Sequence, residues 1–134
     1  MPAIGHLLMI GALALAMILG LHVKLAQTLL LTYDLFPVSH FPTPSSVTYW
    51  GIRQVAAAFA LAFTLSAPFL IASMLYNITL GVINKAMPQM MVGFGGAPAI
   101  TGAGIVLLFL MAPSILGLWA QALDQFISNP FGNL

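Results

Sequence analysis

Cysteine and glutamate are absent from this chain, and charge of either sign is scarce. Without cysteine there are no disulfides, thiolate metal sites or cysteine nucleophiles, and the redox compartment is left open. Without glutamate the HExxH zinc arrangement is excluded. The two carboxylates, Asp34 and Asp124, fall in different segments near expected helix ends, which argues against paired acid-base catalysis. His6, His22 and His40 show no metal-ligand spacing, and a zinc site needs three or four convergent ligands. The glycines between Gly93 and Gly104 follow no strand and precede no Gly-Lys-Ser or Gly-Lys-Thr, so they form no phosphate-binding loop. A net charge of +1 offers no basic patch to nucleic acid. The expectation is a protein that is not an enzyme and carries no cofactor and no metal.

What is present is apolar. Hydrophobic residues make up 61% of the 134 positions, and the mean hydropathy is +1.08. Charged residues make up 4%, where a soluble domain carries about 25% to cover its surface. Lys24, Asp34, Arg53, Lys85 and Asp124 are the whole inventory. Five charges cannot clothe a domain of this length in water, so its outside must face lipid or other apolar protein. The fold class that follows is an all-α membrane protein.

A single membrane domain over residues 1–134 is expected. Its first helix runs over about 3–34, with Ala12, Ala16 and Gly20 forming a small-residue face for close approach by another helix. No Lys or Arg precedes Lys24 and the chain stays apolar beyond it, so this stretch reads as a retained helix and not a signal peptide. A loop over 35–47 follows, rich in proline and serine. Asp34 before it and Arg53 after it should lie near one membrane-water boundary, with Tyr49 and Trp50 as interfacial aromatics. The second helix covers about 48–84, a hairpin tip 85–98 and the third helix about 99–126. Pro68 and Pro113 lie inside hydrophobic stretches and are expected to kink them. Ser66, Ser73, Asn77 and Asn84 fall on one helical face. Lipid offers these side chains no hydrogen-bond partner, so the stripe should meet another helix, a subunit interface or a conduit wall. The Asn77-Ile78-Thr79 sequon lies within a hydrophobic helix and reads as accidental. The polar tail after Ile127 is expected to fray.

The segment Leu80-Gly81-Val82-Ile83-Asn84-Lys85-Ala86-Met87-Pro88-Gln89-Met90 resembles the signature of the flagellar biosynthesis protein FliR family, with its N-(R/K)-x-x-P-Q run. Ala67-Pro68-Phe69, Tyr76-Asn77 and Gly96-Ala97-Pro98 are similar to further family positions in the same order, as are Gly20-Leu21-His22 and Phe36-Pro37-Val38 upstream. Family members are longer, and this chain resembles their C-terminal half. Lys85 stands where arginine is more frequent, which keeps the charge and loses the planar fork. The resemblance implies a subunit of the flagellar type III secretion export gate in the bacterial inner membrane, at the flagellar basal body. It implies FliP-like and FliQ-like membrane partners, unfolded export substrates in transit, and a helical hairpin similar to FliQ. The hairpin-tip motif Asn84, Lys85, Pro88 and Gln89, with Pro98 after it, would then face the cytoplasmic entrance. Two other functions compete. One is a small self-assembling pore or an accessory subunit of another transporter, the injectisome homologue included. The other is a membrane enzyme, which would need titratable groups converging at one depth, and the sequence has none.

Overall fold

The computed structural model describes residues 2–88 and 92–132. Every regular element among them is a helix: α1 (Ala3–Ile18), α2 (Leu21–Leu35), α3 (Pro44–Ala86) and α4 (Val92–Ser128). The chain divides into two compact units, one of Met1–Ala60 with Ser114–Leu134 and one of Leu61–Pro113. Both α3 and α4 contribute to each unit.

The stretch read as one helix over 3–34 is two, because Gly20 takes a left-handed backbone with φ +77°. Leu19 N–H still reaches Leu15 O at 2.9 Å, while Gly20 N–H turns to Met17 O at 3.1 Å. Gly20 O then accepts from Val23 and Lys24 N–H and starts α2. The two helices meet at 69°. Glycine makes this conformation inexpensive because it has no Cβ to clash with the carbonyl. In sequence, Gly20 looked like one more small residue on a packing face.

The second break has its own chemistry. His40 N–H donates to Pro37 O at 3.1 Å, and Ser39 sits between them at φ +91°. That is the third position of a type II turn, where glycine is preferred. Helix α3 begins at Pro44, four residues ahead of the polar-composition estimate. Thr43 caps it: its hydroxyl lies 3.4 Å from Ser46 N–H, and Ser46 Oγ returns a bond to Thr43 O at 2.9 Å. Pro44 takes the first helical position, where a missing N–H costs nothing.

Pro68, Pro98 and Pro113 all stand inside helices. Pro98 was expected in the tip, but α4 already begins at Val92. Each proline removes one amide hydrogen bond. In apolar surroundings the remaining backbone groups still have no partner outside the helix, so the helix continues through the proline.

The 43 residues of α3 and the 37 of α4 correspond to about 65 and 55 Å of helix, against a hydrocarbon core of about 30 Å. Both are long and apolar enough to cross a membrane, and α1 with α2 can form a third, broken span. Little is buried. Ala16 and Ile127 are the buried hydrophobic residues among those described. The accessible surface is 10216 Å², where a water-soluble monomer of 14.2 kDa exposes about 6800 Å². The missing core is a surface awaiting lipid or partner.

Gly20→Ala should destabilise the detergent-solubilised chain by about 1–2 kcal/mol, while Ser39→Gly should be neutral or stabilising. Helicity followed during SDS titration checks both. A stabilised Gly20→Ala would remove the left-handed break as a feature of the fold.

Candidate functional site

The second unit carries the residues singled out in sequence. Lys85 lies in the last turn of α3, where a cation favours the negative end of the helix dipole. Met87 N–H closes that turn on Ile83 O at 2.8 Å. Asn84, Lys85 and Pro88 are exposed there, as is Pro98 on α4, and Gln89 lies outside the described residues. Among the described residues the tip therefore presents the Asn84 amide and the Lys85 cation, both unburied.

The polar stripe divides. Ser66 Oγ donates to Phe63 O in its own helix at 3.1 Å. Ser73 lines an apolar groove between α3 and α4 with Phe69, Ala72, Tyr76, Ala99 and Ala103. Asn77 and Asn84 are exposed. Within the second unit Gly96 is buried against the Tyr76 ring and hydroxyl, a space that a Cβ would occupy. This glycine belongs to the Gly-Ala-Pro element noted in sequence, and close helix approach is the reason for it.

The first unit holds contacts that sequence reasoning missed. Lys24 on α2 forms an ion pair with Asp124 on α4, both partly exposed. One turn further, Thr28 Oγ1 faces two carbonyls, Lys24 O at 2.9 Å and Ile127 O at 3.2 Å. Ala16, Leu19, Leu21, Leu123 and Ile127 border the same small cleft as the ion pair, so Ala16 of the small-residue face does meet another helix. The signal was available: in a chain with five charges, one Lys and one Asp had to find partners or water.

The described part of the tail expected to fray is held at Pro130 and Phe131. Pro130 is buried, and its carbonyl accepts from Trp50 Nε1 at 2.8 Å. The Phe131 ring meets Phe36 edge-on at 5.3 Å and lies 5.8 Å from the Trp50 ring at 31°. Asp34 and Arg53 form no ion pair among the described residues, and no cluster of metal-ligating side chains occurs there. Among the described residues, no nucleophile and base are brought together at a cavity. The geometry supports packing and docking.

The sequence model of the bacterial export proteins, family 1, matches residues 1–126. The chain is similar to the flagellar biosynthetic protein FliR of Caulobacter vibrioides, 26% identical over 125 residues, covering 93% of this chain and 50% of that protein. It thus spans half the length of this curated relative. No solved structure matches it.

The Lys24–Asp124 pair can be tested by itself. Lys24→Met and Asp124→Leu should each destabilise the chain in mild detergent, and the double variant should lose less than their sum. A coupling of about 0.5–1 kcal/mol is expected for a partly exposed pair. Strict additivity in the unfolding titration would show that the pair contributes nothing.

Proposed function

Because the chain belongs to the bacterial export proteins, family 1, we propose that it is a structural subunit of the flagellar type III protein export gate in the bacterial inner membrane. It helps to form the channel through which flagellar proteins leave the cell, and performs no chemistry of its own. The observation that carries this reading is the family match over residues 1–126 on a chain whose helices bury almost nothing in themselves.

The physical case concerns length. Residues 54–84 contain no charged side chain, and as helix they cover about 45 Å. A hydrocarbon core of about 30 Å covers only part of that. The remainder needs apolar protein around it, as several similar helical subunits packed side by side would provide. FliP-like and FliQ-like membrane proteins are the partners that fit, and lipid takes the rest. Asn77 and Asn84, exposed on a largely apolar helix, would hydrogen-bond to those neighbours. The tip, with Asn84, Lys85, Pro88 and Gln89, would face the entrance that unfolded substrates use. Pro68 and Pro113 would let the long helices bend with the assembly.

Co-expression with FliP-like and FliQ-like proteins, followed by native mass spectrometry, should give a hetero-oligomer containing this chain. A homo-oligomer indifferent to both partners would replace this reading with a self-assembling pore. In the parent bacterium, Lys85→Glu and Pro88→Ala should each reduce swarming without lowering the amount of the protein in the membrane. Full swarming by both variants would remove the tip from the export path.

A further inference from the structure

We propose that residues 127–131 are a clasp that closes the first unit within the chain, docking onto α2 and the start of α3 before any partner arrives. The family match ends at residue 126, so the clasp goes beyond the family reading and stands on its own contacts.

Those contacts are of three kinds and fall on three of the five residues, Ile127, Pro130 and Phe131. Ile127 is buried, and its carbonyl lies 3.2 Å from the Thr28 hydroxyl of α2, whose proton it shares with Lys24 O. The Pro130 carbonyl accepts from the Trp50 indole of α3 at 2.8 Å. The Phe131 ring fills the gap between Phe36, at the end of α2, and Trp50. Offset and edge-on ring geometries of this kind are favourable beyond the area they cover. Pro130 itself is buried. In a chain where large apolar side chains are mostly exposed, a five-residue tail with two buried members and two acceptor bonds is no loose end.

The turn connecting α2 to α3 is the part so held. It carries prolines at 37 and 42 and the left-handed Ser39, with Pro44 opening α3, and Phe36 and Trp50 flank it on either side. By touching both flanks, Phe131 fixes their separation. The clasp therefore sets how the end of α2 is presented relative to the start of α3, using only residues of this chain.

The absence of cysteine makes a direct test clean. Pro130→Cys keeps the carbonyl that Trp50 bonds and places a thiol where the ring is buried. In the full chain in detergent micelles this thiol should react with a water-soluble maleimide about ten-fold more slowly than Ser45→Cys, whose position is exposed. Adding Trp50→Ala or Phe131→Ala should abolish the protection. Trp50→Phe, which keeps a ring and loses the donor, should abolish only part of it. Phe109→Ala in the other unit should change nothing. Equal rates for the two reporters, or the same acceleration from Phe109→Ala, would overturn the clasp, since the protection would then be absent or due to the micelle. The reaction needs no partner protein, so its result is independent of the export-gate reading.

Discussion

The constraint behind every element of this chain is that its backbone must satisfy its own hydrogen bonds. With charged residues at 4% of positions, the surface cannot be solvated as that of a soluble domain is. An unpaired N–H or C=O in hydrocarbon costs several kcal/mol. Helix is the structure that answers the constraint within a single segment. Three prolines fail to end α3 and α4 for the same reason, and the hydroxyls of Thr28, Thr32, Thr79 and Thr101 turn back onto carbonyls of the preceding turn. Glycine at φ +77° breaks what proline does not, because it changes the chain's direction and not just one bond.

That constraint made the fold class legible and left the boundaries less so. Composition and run length suffice to find helices of this hydropathy. They do not reveal Gly20 as a break, because its neighbours Leu19 and Leu21 are as apolar as the rest, and only the backbone angle separates a packing glycine from a turning one. Proline and serine make Thr43-Pro44-Ser45-Ser46 read as loop. The same residues are a cap and a first turn once Thr43 Oγ1 is seen over Ser46 N–H.

The candidate site was legible where it is local and opaque where it is not. The Asn84–Gln89 run can be found by inspection because it is contiguous. Lys24 and Asp124, or Trp50 and Pro130, are separated by most of the chain, and no periodicity links them. What pointed to them was scarcity. In an apolar chain a Lys, an Asp or an indole N–H has few acceptable surroundings, and Lys24, Asp124 and Trp50 found their complements in the first unit. Asp34 and Arg53, equally scarce, did not pair with each other, so scarcity names the candidates without matching them.

Scarcity also decides where stability resides. A soluble domain spreads its stabilisation over a core of many buried side chains, each making several contacts. Here two hydrophobic residues are buried among those described, so the chain alone has little apolar burial to set against the entropy of ordering four helices. An ion pair, a few side-chain hydrogen bonds and one aromatic cluster therefore carry a larger share of the first unit's stability than they would in a globular protein. In the second unit the apolar groove lined by Ser73 and Tyr76 and the side chains of Asn77 and Asn84 are open. Anything that packs against that unit, lipid or protein, would add its binding free energy directly to the unit's stability.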